Sequence, residues 1–110
     1  MSRAPEAERA FDELSVWVAA ELTKVRGDAA AEDAVLTDAV KRFAEARTLV
    51  DPSDPYSHAT HFFGADGAGW KLRREPGLQR VTGATPEELA RWAGVIAAVA
   101  SKLEAALFAD

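Results

Sequence analysis

The segment that begins at Thr85 constrains the fold of this chain more than any other. Thr85 is a favoured N-cap, Pro86 suits the first helical position, and Glu88 follows the cap by three residues, as in a capping box. Beyond it, apolar residues recur at spacings of three and four, at Leu89, Trp92, Ala93, Ile96, Val99, Ala100, Leu103 and Leu107. The pattern predicts one helix over residues 86–108, about 34 Å long, which would reach across a small domain.

The length of the chain limits it to one domain. With 110 residues, 48% of them apolar and 28% charged, it can form one core that buries roughly two thirds of the unfolded surface. The lack of cysteine excludes disulfides, thiolate nucleophiles and metal sites with cysteine ligands. No apolar run approaches the ~20 residues that span a bilayer, and the first residues lack the apolar segment of a signal peptide. We therefore expect a cytoplasmic protein with no membrane partner.

Two further helices are predicted before Asp51. The first, over about residues 5–26, carries one apolar stripe made of Phe11, Leu14, Val18, Leu22 and Val25. The second, over about residues 30–49, ends before Asp51-Pro52, because a residue that precedes proline is pushed out of the helical region. Since only the short link around Gly27 separates them, we expect the two helices to pack as an antiparallel hairpin.

The middle of the chain is predicted to form a three-stranded antiparallel meander. Asp66-Gly67 is a strong signal for a tight hairpin turn, and Pro76-Gly77 suits a second turn. Counting outwards from both turns gives three strands, at about residues 59–64, 69–75 and 78–82. The predicted fold is therefore α+β, with the helical hairpin and the long C-terminal helix on one face of the sheet. An irregular glycine-rich loop is the alternative for this segment.

The outer face of the predicted sheet carries positive charge. Residues 58–83 contain four basic and two acidic residues, whereas the whole chain has a net charge of −5. The predicted register places Arg73 opposite Arg80, with Lys71 and Phe62 beside them. We predict that these residues bind an anionic partner, with a solvated edge as the alternative. Nucleic acid is possible there but not favoured, because the overall negative charge repels phosphate at long range.

The long C-terminal helix has a second apolar face near its centre. Residues 93–100, AGVIAAVA, are apolar or small all round for about two turns. This composition favours self-association, and hence a homodimer, through Trp92, Val95, Ala98, Val99 and Lys102. The alternative is that alanine is present only because it is a good helix former.

His58 and His61, with Asp51 and Asp54 shortly before them, are the candidates for a metal site or an acid–base pair. On an extended chain, residues three apart point to opposite faces, so the two imidazoles do not converge. The glycines within residues 64–69 lack the strand and helix that flank a phosphate-binding loop. We therefore expect no catalytic residue, no metal and no cofactor.

The predicted order of helix, helix, meander and helix resembles that of winged-helix regulators, with residues 70–75, WKLRRE, as the wing. A winged helix needs three helices around its recognition helix, however, and only two precede the sheet here. We predict a small acidic, non-catalytic protein-binding or assembly module, such as an adaptor, a phage-type structural component, or an antitoxin or immunity-like inhibitor. The alternatives are a DNA-binding transcriptional regulator that uses the basic hairpin, and a small ligand-binding protein or enzyme that uses His61 and the aromatic residues near it in the sequence.

Overall fold

A computed structural model describes residues 5–64 and 77–109 of the chain. These residues form four α-helices, α1 (Pro5–Val25), α2 (Ala29–Arg47), α3 (Ala59–Phe63) and α4 (Pro86–Leu107), and one short 3-10 helix, η1 (Gly77–Arg80). None of the described helices combines the length and the hydrophobicity that a membrane crossing requires.

The predicted α+β fold is wrong, because no strand occurs in the part of the chain that the structure describes. Residues 59–63, expected as the first strand, form α3, and residues 77–80 at the start of the expected third strand form η1. Ala59 and Phe63 are four residues apart, so one helical turn buries both of them. The expected second strand, residues 69–75, and the turn at Asp66-Gly67 lie outside the described residues.

The hairpin of α1 and α2 forms because each helix carries an apolar stripe and the turn between them is short. Gly27 adopts a φ of +94°, a left-handed conformation that glycine tolerates without a steric penalty. Asp28 then caps α2, since its side chain accepts a hydrogen bond from the N–H of Ala31 at 3.2 Å. The turn therefore reverses the chain within three residues.

The remaining elements pack on this hairpin. α4 lies mainly against α2 and α3, and η1 lies against α1. Four rings from three helices form an aromatic cluster with centroid separations of 4.9–6.0 Å: Phe11, Phe43, Phe62 and Phe63. Three residues of α4 are fully buried in the core: Trp92, Ile96 and Ala100.

The backbone of η1 approaches α1 closely at Gly77. A Cβ atom added there would lie 3.0 Å from Cγ1 of Val18 and 3.5 Å from the ring of Phe63. Because Gly77 has no side chain, η1 lies close enough to α1 for the next residue, Leu78, to be buried in the core. The contact joins the segment that precedes α4 to the hairpin.

Candidate protein-binding groove

A surface groove of about 540 Å³ lies between α1 and α2. It is lined by Ala10, Glu13, Leu14 and Trp17 of α1 and by Arg42, Glu45, Ala46 and Leu49 of α2 and its end. Ala10 and Ala46 are too small to fill the space between the helices, and the buried side chain of Leu14 contributes an apolar floor. This α1–α2 groove is therefore open, with an apolar base.

Trp17 stands at one end of the groove and contacts Arg42. The guanidinium carbon of Arg42 lies 4.1 Å from the centre of its ring, within the range of a cation–π contact. Nε of Arg42 also donates a hydrogen bond to Oδ2 of Asp38 at 3.2 Å. Arg42 therefore covers part of the Trp17 ring, and the Trp17 side chain also lines the groove.

Leu49 stands at the other end and is 53% exposed. It follows the C-cap of α2, Thr48, and its N–H donates a hydrogen bond to the carbonyl oxygen of Ala46 at 3.1 Å, so the backbone there is held in a turn. The exposed carboxylate side chains of Glu13 and Glu45 lie along the groove between Leu49 and Trp17. The groove thus has apolar ends and a partly acidic rim.

A second apolar surface lies at the far end of α4. Ala100 is the last fully buried residue of this helix, and Leu103 is half-buried against the core. Beyond them, Leu107 and Phe108 are 49% and 59% exposed. We call residues 101–109 the α4 end.

The residues predicted to form an anionic-partner face are not brought together among the described residues. Phe62 lies in the aromatic cluster, 5.4 Å from the ring of Phe11 and 5.0 Å from that of Phe43. Arg80 is exposed on η1, where the predicted register assumed a strand. Lys71 and Arg73 lie outside the described residues.

The residues predicted to mediate self-association are divided between core and surface. Trp92 is fully buried, and Val95 and Val99 are half-buried against the core. Ala98 and Lys102 are exposed. Of these five residues, only Ala98 and Lys102 are therefore exposed on the surface of a single chain.

The two histidines lie at the start of α3. His58 is exposed and precedes the helix, and His61 is half-buried within it. Across residues 5–64 and 77–109, no group of three or more histidine or carboxylate side chains is arranged to hold a metal ion.

A buried carboxylate, which no pattern in the sequence indicates, joins α4 to the hairpin. Glu32 accepts hydrogen bonds from the N–H of Gly27 at 2.9 Å and from Nη2 of Arg91 at 2.8 Å. Burial alone would raise the pKa of Glu32, but these two donors, the charge of Arg91 and the nearby indole of Trp92 together hold the pKa below its ordinary value. The indole N–H of Trp92 faces the same carboxylate and also lowers its pKa, although it lies outside hydrogen-bonding geometry.

A second ion pair fixes the start of α4. Arg26 donates to both carboxylate oxygens of Glu88, at 3.1 Å and 2.6 Å, and to the carbonyl oxygens of Thr82 and Gly83. The hydrogen bond from Arg26 and that from the N–H of Thr85 lower the pKa of Glu88 to about 2. Both ion pairs lie beside the turn between α1 and α2, so we assign them a structural role.

One pattern in the sequence indicates the α1 side of the groove. Ala10, Leu14 and Trp17 follow one another at spacings of four and three along one edge of the apolar stripe of α1. No family model, curated protein or solved structure matches this chain. The α1–α2 groove and the α4 end are the two surfaces from which a function can be inferred.

Proposed function

We propose that this protein is a non-catalytic protein-binding module whose α1–α2 groove receives an amphipathic helix. The observation that carries the proposal is the pair of large apolar side chains, Trp17 and Leu49, at either end of an apolar floor on the surface. Tryptophan is enriched among the residues that dominate binding energy, and a helix in a groove binds through apolar anchors three, four and seven residues apart. A volume of about 540 Å³ accommodates such anchors.

The energetics favour a transient complex. Fully burying a leucine side chain contributes about 1.5–3 kcal/mol, and since Leu49 is already about half covered, a partner gains about half of that. Trp17 is also partly covered by Arg42. Because association costs several kcal/mol in lost freedom, two such anchors support weak, transient binding rather than a nanomolar complex.

The charges near the groove indicate which helix it prefers. Glu13 and Glu45 line it, and the guanidinium of Arg42 beside them is already paired with Asp38. A partner helix with lysine or arginine beside its apolar face would therefore meet complementary charge. Since the rim is exposed, added salt should weaken this contribution.

A selection of helical peptides from a phage-displayed library against the wild-type protein tests the proposal. We expect the enriched peptides to be amphipathic and cationic, to bind with micromolar affinity, and to bind Leu49→Glu at least 10-fold more weakly. Val16→Glu is the matched control, because Val16 is equally exposed on α1 but does not line the groove.

Binding to Val16→Glu should change by less than about twofold, since the two variants carry the same added charge and differ only in position. Thermal unfolding of both variants should resemble that of the wild type. Enriched peptides that bind Leu49→Glu as tightly as the wild type would contradict the proposal.

A further inference from the structure

We infer that the α1–α2 groove selects a partner helix that has two apolar residues seven positions apart and lysine or arginine midway between them. Arg42 sets this selectivity, because it excludes a cation of the partner from the end of the groove at which it contacts Trp17. The inference rests on the proposed function, since it names the class of sequence that the same groove binds. It follows from the order of apolar, acidic and basic groups along the groove.

The large apolar groups of the groove lie at its two ends. The contact of 4.1 Å between Trp17 and Arg42 marks one end, which we call the Trp17 end. Leu49 follows Arg42 by seven residues and therefore lies about 10 Å further along, at 1.5 Å per residue. Residues seven apart on a partner helix span the same distance and share one face. One apolar residue of the partner can thus contact Trp17 while the other contacts Leu49.

Two carboxylates lie between these ends, one on each side of the groove. Glu13 precedes Trp17 by four residues on α1. Glu45 follows Arg42 by three residues on α2. Both therefore lie about 4.5–6 Å from the Trp17 end along the groove. Neither carboxylate forms an ion pair within the part of the chain that the structure describes, so both are available to a partner.

A partner helix can meet both carboxylates at once. Residues three and four positions after its first apolar anchor lie about one turn further along, on either side of its apolar face. Lysine or arginine at these positions would face opposite sides of the groove, with one cation near Glu13 and the other near Glu45. Their aliphatic stems would cover the apolar floor that Leu14 contributes.

Arg42 makes the Trp17 end unsuitable for a cation. Its guanidinium already occupies the position over the ring of Trp17 at which a cation of the partner would otherwise bind. Arg42 is also paired with Asp38 at 3.2 Å, so it already has a carboxylate partner within its own chain. A lysine of the partner would have to displace Arg42 or lie beside a like charge. The groove therefore favours a cation at its centre and disfavours one at this end.

Two synthetic peptides of identical composition test the inference. Both are alanine-rich helices of about 18 residues that carry two leucines and two lysines on one face. The centre peptide has leucines seven positions apart, with the lysines three and four positions after the first leucine. The end peptide has the leucines and lysines exchanged. Because lysine then lies at both ends of the face, one lysine meets the Trp17 end whichever way the end peptide lies in the groove.

Fluorescence anisotropy of the labelled peptides gives their affinities for the full chain. We expect the wild type to bind the centre peptide about threefold or more tightly than the end peptide, because only the centre peptide pairs with both carboxylates. In Arg42→Gln this preference should fall by about twofold or more, since a lysine can then lie over Trp17. Arg42→Met, which keeps an aliphatic stem, is the second variant should the first unfold.

Lys41→Gln is the matched control, because Lys41 is the exposed neighbour of Arg42 on α2 and does not line the groove. It removes the same charge and should leave the ratio of the two affinities unchanged. Three results would overturn the inference. They are equal binding of the two peptides to the wild type, a ratio that Arg42→Gln leaves unchanged, and a ratio that Lys41→Gln changes as much as Arg42→Gln does.

The dependence on Leu49 separates the failure of this inference from the failure of the proposed function. If the two peptides bind equally, or neither binds, while the library-selected peptides still require Leu49, the groove binds a helix with another pattern. Only the present inference then fails. If the selected peptides do not require Leu49 either, the proposed function fails as well.

Discussion

Replacing Arg91 with methionine would remove the cation that faces the buried carboxylate of Glu32. The side chain of Glu32 is 1% exposed and that of Arg91 is 47% exposed, so the substitution leaves the carboxylate buried while removing little packing. A hydrogen bond to a charged group contributes about 1.5–3 kcal/mol. Because half of Arg91 faces water, we expect a loss of about 1–2 kcal/mol in the free energy of unfolding.

A loss of this size is measurable for a protein of this length. The entropy of unfolding is about 2.1 cal/mol/K per residue, which for 110 residues gives roughly 0.23 kcal/mol/K. The midpoint of thermal unfolding should therefore fall by about 4–9 °C. Urea unfolding followed by tryptophan fluorescence gives the free energy itself, since Trp92 is fully buried next to Glu32.

The effect of Arg91→Met should depend on pH. In the wild type the folded pKa of Glu32 lies below its ordinary value of 4.5, so the ionised carboxylate stabilises the fold above that pH. This contribution is lost as the pH falls through the folded pKa. Without Arg91, burial is opposed mainly by the N–H of Gly27, and the pKa of Glu32 should rise. The difference between wild type and variant should be greatest near pH 7 and should shrink towards pH 3.

Equal differences at pH 7 and pH 3 would refute this reasoning, because they would show that Arg91 acts through packing rather than through the carboxylate. Lys24→Met is the matched control, since Lys24 pairs with Glu21 on the exposed face of α1 at 3.0 Å. That substitution should change the free energy of unfolding by less than about 0.5 kcal/mol at either pH.

Three further predictions concern two glycines and the start of α4. Gly77→Ala would place a methyl group 3.0 Å from Cγ1 of Val18 and should lower the free energy of unfolding by about 1–3 kcal/mol in urea titrations. Gly94→Ala, where the added methyl group meets open space on an exposed part of α4, should raise it by about 0.5–1 kcal/mol. Arg26 lowers the pKa of Glu88 to about 2, so the ionised carboxylate of Glu88 stabilises the fold above pH 4.5. This contribution is lost as the pH falls from 4.5 towards 2. Glu88→Gln should flatten the stability–pH curve in that window while retaining a capping-box acceptor, and a curve unchanged from that of the wild type would contradict this assignment.

The start of α4 could be predicted because its signal is local. The hydroxyl of Thr85 accepts a hydrogen bond from the N–H of Glu88 at 3.1 Å, and Oε1 of Glu88 accepts one from the N–H of Thr85 at 3.0 Å. The predicted capping box is therefore confirmed. All of its donors and acceptors lie within four consecutive residues, so no knowledge of the tertiary structure is needed to recognise it.

The segment after α2 was predicted wrongly because short apolar runs are compatible with more than one backbone conformation. In residues 59–63, ATHFF, a strand would bury alternate side chains, whereas a single turn of helix buries side chains three or four residues apart. The helical turn places Phe62 and Phe63 against Phe43, and it buries Ala59. That choice depends on rings contributed by distant parts of the chain.

The sequence by itself determined the three long helices, because their periodicity and caps are properties of neighbouring residues. It did not determine which apolar side chains would be covered. Trp92 belongs to an apolar stripe and is fully buried, whereas Leu107 belongs to the same stripe and is half exposed. Only the tertiary structure decides between them, because burial depends on where α2 and α3 lie along α4, and these helices leave its last two turns largely uncovered. The α1–α2 groove arises in the same way, since it exists only where small residues on two separate helices face each other.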